Sequence, residues 1–450
     1  MTKLLDRAIV GGLLVAVAFT ALALGAVEAW SIAVFELLVV ALLLCWALKA
    51  VIERRFEIKL PSAAIPLGAL ILLGLAQSVA VTGSGGETLS LSMDVEATRA
   101  AVVVIFFLFV CFVIAANFFD TRQRLVGLAN FLVIFGLALA VFALVQHFTW
   151  EGRLFWFRPT ISTGAGTGGP FVNKNHFAGY MEMLIPIAVM LALSHRARLE
   201  SRLFYGFAAS IMAIAEAASL SRGGMVSLAA AALFIAAIST PLRDGSRARA
   251  KSFIFRPAAF MVVMLAAIIA GVVWVGADFD IIKRIASDPL TTGSAMDRKG
   301  IWVDTLAMFR AHPLLGVGLG AFETVYPIYG HGDGTVLIEF AHNDYLQMLA
   351  DGGLAGAALA IWFLVVIARA TVQAAKNADP LLKALGLGSA AGIFALLVHS
   401  LFDFNLQIPS NALLFLLLSA MVSRSGVTVG LNETARRLCP RVEKPATAAG

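Results

Sequence analysis

Apolar stretches of membrane-crossing length recur from one end of this chain to the other. A helix that spans a bilayer needs about 20 mostly apolar residues, because nothing in the hydrocarbon can satisfy an open backbone. Twelve segments fit: 8–27, 31–48, 60–81, 100–119, 125–147, 176–194, 203–220, 225–240, 258–277, 353–370, 384–402 and 409–423. Charged residues make up 14% of the 450 positions, against about 25% in a soluble domain. No polar block is long enough for a large separate soluble domain. The expected fold class is an all-α polytopic membrane protein of about 12 transmembrane helices. Residues 1–423 read as a single integral membrane domain, and 424–450 as a polar, disordered cytoplasmic tail.

The net charge of +6 resembles that of a nucleic-acid binder, but most lysines and arginines sit in short loops between apolar spans. They read as topology signals, with no nucleic-acid partner expected. With both termini in the cytoplasm, every inner segment is basic. Lys3 and Arg7 ahead of the first apolar run mimic a signal peptide; an uncleaved first helix is expected instead, since a full membrane topology follows. Cys45 and Cys111 lie in spans and Cys439 in the tail, so no disulfide framework or CxxC metal site is expected.

This orientation puts two informative loops outside, about 148–175 and about 278–352. At a span junction stands Leu220-Ser221-Arg222-Gly223-Gly224. A guanidinium near the membrane surface suits a phosphate, which it grips with two parallel hydrogen bonds. The competing reading is a tight turn with a snorkelling arginine. In the larger loop, Ile301, Trp302, Thr305, Met308 and Phe309 recur at helical spacing, so 298–311 reads as an amphipathic helix with Arg298 in its first turn and Asp297 as its cap. The run Pro313-Leu314-Leu315-Gly316-Val317-Gly318-Leu319-Gly320 lacks the strand and lysine of a nucleotide loop and reads as flexible or tightly packed. The segment Ala341 to Gly353 reads as a short helix ended by glycine, with His342, Tyr345, Leu346 and Leu349 on one face. Its histidine can titrate near neutral pH, which suits a general base; a packed or capping histidine is the bland alternative.

In the first outer loop, Asn173, Lys174, Asn175 and His176 stand at the mouth of a helix, where they could position hydroxyls or phosphate. Arg153 and Arg158, interleaved with Phe155, Trp156 and Phe157, resemble an interfacial segment. Glu182 and Glu216 lie inside spans, where ionisable residues are functional candidates. Asp278 and Asp280 carry a rival reading as a divalent-metal pair for sugar transfer. A histidine–carboxylate zinc site has less support, because the histidines show no i, i+4 pairing.

In their order these motifs resemble the O-antigen ligase and O-antigen polymerase superfamily of bacterial membrane glycosyltransferases. The resemblance rests on Arg298-x-x-x-Trp302, His312-Pro313-Leu314-Leu315-Gly316-Val317-Gly318, His342-Asn343-Asp344-Tyr345-Leu346 and Asp351-Gly352-Gly353-Leu354. Ser221-Arg222-Gly223 resembles the earlier arginine motif, and the likeness covers roughly 170–370. It implies a GT-C-like fold with a large periplasmic loop in the bacterial inner membrane. The implied donor is a glycan on undecaprenyl pyrophosphate, and the acceptor a sugar hydroxyl, with lipid A-core first. It further implies no cofactor and no metal. Arg222 and Arg298 would bind pyrophosphate and His342 would be the catalytic base. Asn173, Lys174, Asn175, His176, Asn343, Asp344 and Tyr345 would contact substrate. A polymerase of lipid-linked repeat units and a protein oligosaccharyltransferase remain open within the superfamily. Outside it, a transporter or lipid flippase is the alternative, although polar residues gather at the outer face and not at the midplane.

Overall fold

A computed structural model describes residues 1–82, 88–159, 168–194, 198–239, 298–331 and 337–438. Those residues are mostly helical, with two short hairpins and almost no other sheet. The chain is an all-α polytopic membrane protein, and among the described residues seven helices are long and apolar enough to cross a membrane. We number the helices α1 Thr2–Leu22, α2 Ala29–Glu53, α3 Ala64–Gln77, α4 Val95–Phe118, α5 Arg122–Phe148, α6 Lys174–Leu193, α7 Leu199–Ala218 and α8 Arg222–Ser239. After 240–297 follow α9 Arg298–Ala311, α10 Phe322–Tyr329, α11 Asp344–Ala375, α12 Pro380–His399 and α13 Pro409–Leu438. Eleven of the twelve expected spans fall on helices; the ninth, 258–277, lies outside the described residues, as do Asp297, Asp278 and Asp280.

Local chemistry sets the breaks between spans. Asp94, Thr121, Asn173, Asn343 and Asp379 each accept a backbone N–H at the start of a helix, the standard remedy for orphan donors at a helix start. The break around Gly25 runs through three successive left-handed residues, Leu24, Gly25 and Ala26. Glu28 at this turn pairs with Arg158 on the second hairpin, Arg153–Leu154 with Arg158–Pro159.

Packing centres on α6, nearly all of whose residues are buried, with α12, α7, α8, α5 and α13 around it. Such all-round apolarity marks a central helix. A second, smaller core of Ile301, Met308, Val317, Phe322, Val325 and Ala350 joins α9, α10 and the start of α11. The 298–311 helix is as expected, with Ile301, Thr305 and Met308 on its buried face.

Three expectations need correction. First, the helix expected from Ala341 to Gly353 begins only at Asp344, so His342 does not share a helical face with Tyr345. Asn343 caps that helix and leaves His342 before it, at φ 49°. Second, the helix does not stop at the glycines: α11 breaks at Gly353 (φ 59°, ψ −157°) and then runs on as a span. The glycine-rich run 313–320 is the brace for this break. Val317 N–H donates to Ala350 O (2.8 Å), Gly318 N–H to Asp351 O (3.1 Å) and Leu354 N–H to Pro313 O (2.8 Å). Gln77 adds a donor to Asp351 O (3.0 Å) and accepts from Leu319 N–H. A Cβ on Gly316 would stand 2.4 Å from the Asp351 backbone, so only glycine permits this approach. Third, α13 continues past Arg424 to Leu438, so the first part of the expected tail is helical. No proline interrupts it before Pro440.

Candidate functional site

A buried carboxylate joins the elements on which the candidate residues lie. Asp403 is 1% exposed and sits in the corner between α12 and α13. The Phe404 amide donates to its Oδ1 (2.9 Å) and Asn175 Nδ2 donates to its Oδ2. Three further side chains face it: His342 Nδ1 at 3.6 Å, His176 Nε2 at 4.0 Å and Arg298 Nη2 at 4.0 Å. These three are ion-pair distances, longer than a hydrogen bond. Burial opposes the charge on Asp403, but His342, then His176 and His399, outweigh it and hold the carboxyl well below the usual carboxylate range. An aromatic ring completes the corner. Phe404 meets His176 and His342 edge-on, at 4.8 and 4.9 Å between centroids, and Phe340 in a stack at 4.4 Å.

The motif after His342 builds this corner. Asn343 Oδ1 caps α11 while its Nδ2 donates to Leu401 O (3.0 Å). Asp344 N–H donates to Ser400 O (3.0 Å), and Asp344 Oδ2 accepts from Ser400 Oγ (2.7 Å) and Leu406 N–H (3.1 Å). Tyr345 OH donates to Leu397 O (2.7 Å). Three side chains expected at the substrate thus fasten the α11 start to the α12–α13 corner. The left-handed backbone at His342 is the conformational cost of turning its ring back toward Asp403.

The arginine motif lies one step away. Ser221 Oγ accepts from Gly224 N–H (3.2 Å) and caps α8, so Arg222 opens that helix. Lys174 Nζ donates to Leu220 O (3.4 Å), which links this turn to the start of α6. A Cβ on Gly223 would stand 2.6 Å from the His399 ring, and one on Gly224 would stand 3.2 Å from Glu216 Oε1. His399 Nδ1 in turn meets Glu182 at 3.1 Å. Glu182 and Glu216 therefore lie beneath the Arg222 turn, both fully buried. Arg298 and His342 share Asp403 directly, whereas Arg222 reaches the group through its neighbour Gly223 and His399. Asn173 caps α6 through Asn175 N–H. Among the described residues, no group of three or more His, Cys, Asp or Glu side chains is arranged to hold a metal.

Arg298, the His342 imidazole and the buried Asp403 carboxylate meet at the end of a helical bundle. Residues 207–361 match the O-antigen ligase family. The superfamily resemblance read from the motifs is supported over that segment, which contains Arg222, Arg298 and His342. Members of this family are membrane glycosyltransferase-type enzymes, ligases or polymerases. No curated protein matches the chain. The O-antigen ligase segment ends before Asp403, His399 and Phe404, three residues that sequence reasoning missed. A signal for them existed: His399 and Asp403 are ionisable residues at the edge of an apolar span.

Proposed function

We propose that this protein is an O-antigen ligase-like glycosyltransferase at the periplasmic face of the bacterial inner membrane. It moves a glycan from undecaprenyl pyrophosphate to a sugar hydroxyl on an acceptor, with lipid A-core placed first. The observation that carries the reading is the approach of His342 and Arg298 to the same buried carboxylate, at 3.6 and 4.0 Å. In the reaction, the acceptor oxygen attacks the anomeric carbon of the donor. The bond from that carbon to the pyrophosphate oxygen breaks, and its electron pair leaves with the pyrophosphate. His342 Nε2 takes the acceptor proton, and Asp403 at Nδ1 orients the ring and favours the imidazolium that forms. Arg298 and Arg222 stabilise charge growing on the departing pyrophosphate. Lys174, at the Arg222 turn, adds a further cation.

The test uses purified full-length protein with undecaprenyl-pyrophosphate-linked oligosaccharide and lipid A-core, comparing wild type with His342→Ala and Arg298→Ala. Glycan on lipid A-core, lost in both variants, supports the ligase. Longer lipid-linked chains make it a polymerase acting through the same groups. Donor that remains intact with either acceptor sinks the glycosyl-transfer reading and returns the chain to the transporter class.

A further inference from the structure

Next to the Asp403 group is a cavity of about 770 Å³, bounded by α3, α4, the start of α13, Leu319 to Glu323, and Glu339 and Phe340. This is within the range of pockets that hold drug-sized ligands. Much of its wall is apolar, formed by residues such as Leu67, Ile105, Leu108 and Phe415. Its polar part has a different character. The stacked rings of Phe340 and Phe404 line it together with Glu323, Glu339, Asp351 and Gln407. His176 lines the same space, so the cavity adjoins the Asp403 group. Two buried atoms here, Asp351 Oδ1 and His176 Nε2, have no hydrogen-bond partner among the described residues. A buried carboxylate oxygen without a donor is costly, and a ligand hydroxyl would complete it.

We propose that this polar, aromatic part of the cavity is the acceptor-sugar subsite and that it takes an uncharged sugar. The proposal rests on the glycosyl-transfer reading above. Aromatic faces carry negative charge density and pack against the C–H face of a sugar ring. Carboxylates and an amide accept and donate to its hydroxyls. Among the described residues the cavity wall holds no lysine or arginine, and neither Arg222 nor Arg298 lines it. Among the described residues, a phosphate or uronate at this place would face the carboxylates of Glu323 and Glu339 and the buried Asp351 carboxyl with no lysine or arginine to offset them, which selects against it. The two arginines serve the anionic donor, and the cavity serves a neutral acceptor. The sugar that receives the glycan therefore carries neither phosphate nor carboxylate.

The experiment places full-length protein in lipid nanodiscs free of sugar detergent and follows saturation-transfer NMR with methyl β-maltoside and methyl β-glucuronide. Wild type is expected to transfer saturation to the maltoside and not to the glucuronide. Phe340→Ala weakens maltoside binding by about ten-fold, the loss of one stacking contact. Glu339→Lys, at an exposed position, admits the glucuronide. Equal or stronger binding of the glucuronide by wild type overturns the proposal, and so does failure of the maltoside to bind. Donor turnover is measured on the same sample with lipid-pyrophosphate oligosaccharide. Selective maltoside binding without donor turnover would leave a neutral-sugar site and remove the glycosyl-transfer reading; turnover without such selectivity would do the reverse.

Discussion

Neutralising Asp403 perturbs the centre of the site with little change of shape. Asp403→Asn keeps an oxygen for the Phe404 amide and removes the charge. At 3.6 Å from His342 Nδ1, a unit charge is worth about 4–5 kcal/mol at an effective dielectric of about 20. The imidazole is 31% exposed, so screening takes roughly half and leaves about 2 kcal/mol. At 1.36 kcal/mol per decade that is about 30-fold in rate, and the unscreened figure sets a ceiling of about 10³-fold. The interaction strengthens only when imidazolium forms, so the loss falls on kcat and leaves KM near its original value. Initial rates of donor consumption at varied acceptor concentration measure both. A kcat within about three-fold of wild type, in a variant that melts at the wild-type temperature, would refute the reasoning. The pH dependence gives a second handle. The native pKa of Asp403 lies below its unfolded value, so the stability it contributes is fully present above about pH 4 and is lost as pH falls through the depressed native value. The stability gap between wild type and Asp403→Asn should close as pH falls below about 4 through the depressed native value.

Three further outcomes follow from the packing. Gly223→Ala puts a methyl 2.6 Å from the His399 ring, so thermal melting should show a loss of about 1–3 kcal/mol, relieved when His399→Ala is added. Gly353→Ala places a side chain on a left-handed residue, 2.6 Å from the Leu314 carbonyl and the Gly316 nitrogen; the yield of folded protein in a fluorescence size-exclusion assay should collapse. Glu28→Gln removes the partner of Arg158, whose hydrogen bond, followed by that of Trp30, lowers the Glu28 pKa. The pair is partly exposed, so the variant should lose at most about 1 kcal/mol at pH 7. That deficit should vanish as pH falls through the depressed pKa, as melting curves between pH 7 and 3 would report.

Much of the fold was legible because span length and apolarity are properties of short windows. The amphipathic α9 was legible for the same reason: its buried face repeats at helical spacing within 14 residues. The site was legible only in part. Arg298 and His342 stood out as a cation and an imidazole in a polar loop. Asp403 did not, since its role depends on contacts with residues up to 228 positions away. The position of His342 was misread because helical spacing gives no warning that Asn343 will take the cap. The roles of Asn343 and Asp344 were also hidden, as their partners at Ser400, Leu401 and Leu406 belong to another segment. The glycine run 313–320 announced tight packing but not its purpose, because the helix break it braces, at Gly353, lies 33 residues past Gly320.

The clasp between the start of α11 and the α12–α13 corner makes the imidazole and its carboxylate a unit assembled from two distant stretches of chain. The stretch that matches the O-antigen ligase family carries only one half of that unit. A chimera built by grafting 207–361 onto another bundle would transplant both arginines and the histidine but leave the carboxylate behind. Its activity would depend on whether the host offers an acid of its own at that corner. The exchangeable module of this protein is therefore longer than its recognisable motif, and has to include the last two helices and the turn that joins them.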